Sequence, residues 1–126
     1  MTQEYLLDSN IFIYYLKRDE KIRKLLNNLH REYFYLSTIS HAEVLDGAKD
    51  PADFAMIQKA LNGFVPLDFR SDVASAAMKL KKKNAKKLKF KDLLIAATAL
   101  VEGLTLVTAD KDFKSIKGLK VKLIAL

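Results

Sequence analysis

Four short runs rich in aromatic and branched side chains, Tyr5-Leu6-Leu7, Tyr33-Phe34-Tyr35-Leu36, Leu104-Thr105-Leu106-Val107 and Val121-Lys122-Leu123-Ile124, are separated by stretches with the apolar spacing of helices. This alternation constrains the fold more than any other feature. Strands joined by helices pair in parallel, and a parallel sheet needs both faces covered, so the class is α/β. Helices are predicted over roughly 10–17, 19–31, 40–49, 51–63, 71–85 and 91–102, with Pro51 in a first turn, Ser71 as an N-cap and Gly103 as a stop. The segment from Asp92 to Val101 is apolar nearly all round, which predicts a central buried helix whose alanines allow close packing on the sheet. The 126 residues, half of them hydrophobic, contain no linker, repeat or low-complexity segment, and a single domain spanning 1–126 is expected.

Composition then removes whole classes of chemistry. No cysteine is present, so disulfides, thiolate zinc sites and cysteine nucleophiles are excluded, and two histidines are too few for most histidine-based metal sites. His30 suits a cation near a helix C-terminus, and His41 lies close to Glu43 in the chain. Oxygen ligands remain in number, and they favour Mg²⁺ or Mn²⁺ over zinc or copper. No apolar run is long enough to cross a bilayer and the N-terminus lacks the layout of a secretory signal, so no membrane partner and a cytoplasmic location are expected.

Four carboxylates stand where an element meets a loop or opens a helix: Asp8, Glu43, Asp92 and Asp110. Asp8 and Asp110 each follow a predicted buried strand, and open parallel sheets bind ligands beyond the carboxyl ends of their strands. Glu43 and Asp92 are expected in the first turns of their helices, where the amide dipoles tolerate negative charge. Asp92 shares a helix face with Ile95, Ala96 and Ala99 and should point inward. Convergence of the four would make a site for a hard divalent cation. Each acid also has a purely structural role open to it. Asp8 and Asp92 can cap helices, Asp110 can serve a turn before Lys111-Asp112-Phe113, and Ser40-His41-Ala42-Glu43 fits a capping box.

The chain carries 22 Lys and Arg against 15 Asp and Glu, a formal net charge of +7. Eight lysines fall between Lys79 and Lys91, leading directly into Asp92, and Lys111, Lys114, Lys117, Lys120 and Lys122 crowd the C-terminal end. Such an excess suits a polyanionic partner, because neutralising phosphates releases counterions; a solvated helix end is the alternative.

The sequence resembles a PIN domain, and specifically the VapC-type toxin ribonucleases of toxin–antitoxin pairs, over nearly its whole length. The matching segments are Leu7-Asp8-Ser9-Asn10, then Leu36 to Ala48 around Glu43, then Asp92 to Ala99, and finally Leu106 to Phe113 around Thr108-Ala109-Asp110 with Ile116 and Gly118-Leu119 after it. The resemblance implies a PIN-like three-layer α/β/α sandwich with a central parallel sheet. It implies that Asp8, Glu43, Asp92 and Asp110 are the acidic quartet, that Asp112 is an auxiliary acid, and that Ser9, Asn10 and Thr108 orient carboxylates or water. Asp8 and Asp92 would be the primary Mg²⁺ (or Mn²⁺) ligands, Asp110 a ligand direct or through water, and Glu43 a ligand to a second ion or the orienter of the attacking water. The activity implied is metal-dependent endoribonuclease cleavage leaving a 5′-phosphate and a 3′-hydroxyl. Lys81, Lys83, Lys87, Lys89 and Lys91 are expected to contact RNA. The implied partners are a VapB-type antitoxin, lying in a groove supplied by Phe12, Tyr14, Tyr15, Phe54, Ile57 and Leu61, and a second copy of the chain. The alternative is a PIN module that binds RNA or a protein with little catalysis of its own. Lys89-Phe90-Lys91 departs from the more apolar approach to the third acid, commonly with proline, found in relatives. A phosphoacceptor receiver would need adjacent early acids and a late Lys-Pro pair, a haloacid-dehalogenase-like phosphatase a second aspartate where Asn10 stands, and a Rossmann domain a glycine-rich first turn; none is present.

Overall fold

The structure, a computed structural model, describes residues 4–29, 33–83 and 88–126. Five parallel strands, β1 (Tyr5–Leu7), β2 (Phe34–Ser37), β3 (Val65–Leu67), β4 (Thr105–Thr108) and β5 (Val121–Leu123), form one sheet in the order β3-β2-β1-β4-β5. Among the described residues, six helices surround it: α1 (Ser9–Leu16), α2 (Glu20–Asn28), α3 (Thr38–Asp46), α4 (Pro51–Leu61), α5 (Ser71–Lys82) and α6 (Phe90–Glu102). A 3₁₀ turn, Lys111–Ser115, joins β4 to β5. This is the α/β/α sandwich with a central parallel sheet that the alternation predicts.

Side chains leave each strand on alternate faces. Leu7, Leu36 and Val107 pack with Ile11 and Phe12 of α1, Ile22 and Leu26 of α2, Val44 of α3, and Ile57 and Leu61 of α4. Leu6 and Leu106 pack on the other face with Leu93, Ile95, Ala96 and Ala99 of α6, and α5 joins α6 through Val73, Ala77 and Ala97. Leu6 lies opposite Leu106 and Leu7 opposite Val107, all four fully buried. Each such side chain contributes roughly 1.5–3 kcal/mol by burial, so a one-residue slip in register would be very unfavourable. Helix α6 is the buried one expected: six of its residues are buried, and Gly103 closes it in the left-handed conformation at φ 69°.

Several boundaries differ from the sequence expectation. Strand β3 was not anticipated because it is short and contains Pro66, but it is an edge strand, where a missing N–H is tolerated. The strand β2 turns directly into α3, whose cap is Ser37, with its Oγ accepting from the Ile39 N–H at 3.1 Å. The capping box over Ser40 to Glu43 therefore does not form, and Glu43 lies beyond the first turn. Helix α5 is capped at Arg70 and not at Ser71, without a side-chain bond, since Arg70 pairs with Asp72 and Glu102. The far ends of the helices expected over 19–31 and 71–85 fall partly outside the described residues. Phe12 and Leu61, expected to line a groove, belong to the core, whereas Ile57 both packs in the core and contributes to a groove lining, and among the described residues no helix is long and apolar enough to cross a membrane.

From β1 the chain steps outward through β2 to β3, then returns by α5 and α6 to β4 on the opposite side of β1. Connections therefore diverge between β1 and β4, which opens a crevice at the carboxyl ends of these two strands.

Candidate functional site

Asp8 stands at that crevice as the first residue past β1 and the N-cap of α1. Its Oδ1 accepts the Ser9 N–H at 2.8 Å and its Oδ2 accepts the Thr108 hydroxyl at 2.7 Å. The capping role and the site role thus coexist in one side chain. Thr108, the last residue of β4 and fully buried, also accepts the Asp110 N–H at 3.1 Å. One hydroxyl therefore ties the first acid to the backbone of the fourth. Asp110 uses Oδ1 to cap the following 3₁₀ turn at Asp112 N–H, 2.9 Å away, so the expected turn role is also filled. Asp112 is half-buried in that turn, and its carbonyl accepts the Ser115 hydroxyl.

The other two acids come from helices on opposite faces of the sheet. Asp92 is the third residue of α6 and half-buried. Glu43, on α3, is held by a bond outside itself: the buried Ser9 hydroxyl donates to the buried Ser40 hydroxyl at 2.7 Å, pinning α3 to α1. Glu43 Oε2 is ion-paired with the Lys91 ammonium, whereas Oε1 is buried without a hydrogen-bond partner. Asn10 is exposed on the first turn of α1.

Electrostatics registers the convergence. Burial pushes the Asp8 carboxyl above the ordinary aspartate range, the Thr108 hydroxyl opposes this, and the charges of Asp92 and Glu43 add to it. Burial also raises Asp92, followed by the charge of Asp110 and, more weakly, that of Glu43, with Lys91 and Lys89 pulling the other way. The bond to Glu43, and then the charges of Asp92 and Asp8, raise Lys91. Asp8 thus lies within electrostatic reach of Asp92 and Glu43, and Asp92 within reach of Asp110 and Glu43. Among the described residues, no three carboxylates are drawn together as a closed chelating group. Among the described residues, the cation ion-paired with one of the four acids is the Lys91 ammonium, on Glu43. The donor set, oxygen-only with an unpartnered buried oxygen on Glu43, fits a hard divalent ion.

The lysines divide. Lys89 and Lys91 flank Phe90 at the start of α6, beside Asp92, and Phe90 is exposed. Lys81 and Lys83 are exposed at the C-terminal end of α5. Lys87 and His30 lie outside the described residues. His41 is inside α3, its Nε2 buried without a hydrogen-bond partner among the described residues, and burial lowers its pKa. Sequence reasoning missed Ser40, which it assigned to a cap, and the pairing of Lys91 with Glu43. The only signal for the latter was the departure at Lys89-Phe90-Lys91.

A groove of about 480 Å³ opens beside Glu43 between α1, α3 and α4, lined by Ile13, Leu16, Val44, Met56 and Ile57 and rimmed by Lys17.

Residues 5–119 match the family model described as PIN domain. Among solved structures, the chain is similar to one in VapBC2 from Rickettsia felis bound to a DNA fragment from their promoter, with 26% identity, a TM-score of 0.86, and 97% of this chain and 99% of that chain covered. It is similar to a chain of a toxin–antitoxin complex from Klebsiella pneumoniae, at 30% identity and a TM-score of 0.81 over 95% and 99% of the two chains. A third similar chain belongs to VapBC-1 from nontypeable Haemophilus influenzae, at 25% identity and a TM-score of 0.83 over 96% and 98%. No curated protein matches the chain.

Proposed function

Because the chain belongs to the PIN domain family, we propose that it is a metal-dependent endoribonuclease and the toxin of a VapBC-type toxin–antitoxin pair. The observation that carries this reading is the placement of Asp8 and Asp110 just past the carboxyl ends of β1 and β4, tied together by the Thr108 hydroxyl, with Asp92 at the start of α6 near enough for its charge to act on Asp8. Asp8 and Asp92 would be the principal holders of Mg²⁺ (or Mn²⁺), with Asp110 and Glu43 supporting them. A divalent ion held there would supply activation of water near neutral pH and stabilisation of the negative charge on the phosphoryl oxygens and the leaving oxygen. Thr108 keeps the Asp8 carboxylate and the Asp110 backbone in fixed relation, and Ser9 and Ser40 hold Glu43 over the crevice. Glu43 would act as ligand to a second ion or orient the attacking water.

The substrate reading rests on charge and on Phe90. An exposed aromatic ring between two lysines, two residues before Asp92, suits an unstacked base with phosphates on either side, as in single-stranded RNA. The similar chains belong to VapBC and toxin–antitoxin complexes. By analogy, a VapB-type antitoxin segment would occupy the groove between α1, α3 and α4, where it reaches Glu43. Phe54 and Met56, exposed on α4, offer apolar surface for that partner or for a second copy.

The test is incubation of the purified protein with total RNA and Mg²⁺, followed by mapping of new 5′ ends. Discrete 5′-phosphate ends are expected, absent in Asp8→Asn, in Asp92→Asn and on chelation, with the circular dichroism of both variants unchanged. Full activity in chelator would refute the metal mechanism. RNA binding without cleavage, in a protein that binds Mg²⁺, would select the non-catalytic PIN module instead.

A further inference from the structure

The residue before the third acid is a lysine, and its ammonium is turned onto the second acid. Lys91 is the second residue of α6 and Asp92 the third, so one helical turn delivers both an acid and a cation to the same crevice. The Lys91 ammonium pairs with Glu43 Oε2, on a helix from the opposite face of the sheet. It is also within electrostatic reach of Asp92 and Asp8. An isolated surface pair of this kind would have little effect, since solvent screens it. Here the partner is different: the Glu43 side chain is only 28% exposed, and its other oxygen is buried with no hydrogen bond. A partly buried carboxylate in that position, within electrostatic reach of Asp8 and Asp92, needs a cation before any metal arrives.

We propose that Lys91 is the resident counter-ion of the acidic crevice, which holds Glu43 in the metal-free protein and must yield it when a divalent ion binds. The inference rests on the metal-binding reading above and deepens it. Lys91, expected from the sequence to contact RNA together with Lys81, Lys83, Lys87 and Lys89, is then also a residue that sets metal affinity. It keeps α3 and α6 bridged across the crevice before metal binds, and it opposes divalent binding by competing for one ligand and by adding positive charge. Its position on the exposed first turn of α6 means that it can be replaced without disturbing the core.

The test is a titration with Mn²⁺ in the absence of RNA, following the disappearance of the free-ion paramagnetic resonance signal, for wild type, Lys91→Met, Lys91→Gln and Lys91→Arg. Both neutral variants are expected to bind Mn²⁺ about tenfold more tightly than wild type, the scale of one screened charge interaction. Lys91→Arg is expected to keep the wild-type affinity. Metal-free Lys91→Met should also melt at a lower temperature than wild type and regain more of the difference on adding Mn²⁺. Equal Mn²⁺ affinity in all four proteins would overturn the inference and leave the metal site standing. Failure of all four to bind Mn²⁺ would overturn the metal-binding reading together with it.

Discussion

Thr108 carries more of the site's geometry than any acid does. Its buried hydroxyl donates to Asp8 and accepts from the Asp110 N–H, so replacing it with valine leaves a buried carboxylate oxygen and a backbone N–H without partners. Thr108→Val, nearly the same size, is expected to lower the stability of the metal-free protein by about 1–3 kcal/mol in denaturant unfolding, with Thr108→Ser close to wild type. Asp92 supplies the pH prediction. Its folded pKa lies above the ordinary aspartate value of about 3.9, so between that value and its own the folded state binds more protons than the unfolded state. Stability must then fall as pH rises through this window, and the penalty is fully present above the folded pKa. Asp92→Asn cannot ionise and escapes it. The metal-free variant should therefore gain stability relative to wild type as pH is raised from about 4 to neutrality. A difference that is flat or shrinks with pH, measured by urea unfolding at each pH, would contradict the raised value.

At the scale of elements, α6 links core and site, because the same helix packs Leu93, Ile95, Ala96 and Ala99 against the sheet and presents Asp92 and Lys91 at its N-terminus. Its C-terminal end is set by Gly103 at φ 69°, followed by the Leu104 N–H bonding back to the Ala99 carbonyl at 2.9 Å. A Cβ at Gly103 would meet no atom within 4 Å, so Gly103→Ala carries only the backbone penalty of the left-handed region, about 1 kcal/mol of stability by thermal or denaturant unfolding. A much larger drop would mean that the turn into β4 had moved. The pattern of α6 was readable because apolar residues fill every face. The start of α3 was not: Ser37 and Ser40 are equally good caps by type, and the choice fell to Ser37 because β2 runs up to it in register with β3, with Ser37 opposite Leu67.

For the whole molecule, the net charge of +7 is the largest lever on a polyanionic substrate. Lys81, Lys83 and Lys89 are exposed, at the end of α5 and just before α6, and lie outside the Lys91–Glu43 ion pair. Replacing all three with glutamine is expected to weaken binding of single-stranded RNA by the Asp92→Asn protein. It should also flatten the plot of log K against log salt by about 0.7 for each phosphate no longer neutralised, near two units in all. An unchanged slope would return these lysines to the role of a solvated helix end.

What the sequence determined by itself was local chemistry and its order along the chain: alternating strands and helices, an oxygen-only ligand set, and acids placed at the ends of β1 and β4 or within α3 and α6. Those features follow from side-chain periodicity and residue type, which act over a few residues. The tertiary structure alone decided which groups meet. Ser9 finds Ser40 31 positions away, Thr108 finds Asp8 100 positions away and Lys91 finds Glu43 48 positions away. Each of these pairings spans separate elements, so it exists only once the strand order reverses between β1 and β4 and brings distant segments to one crevice.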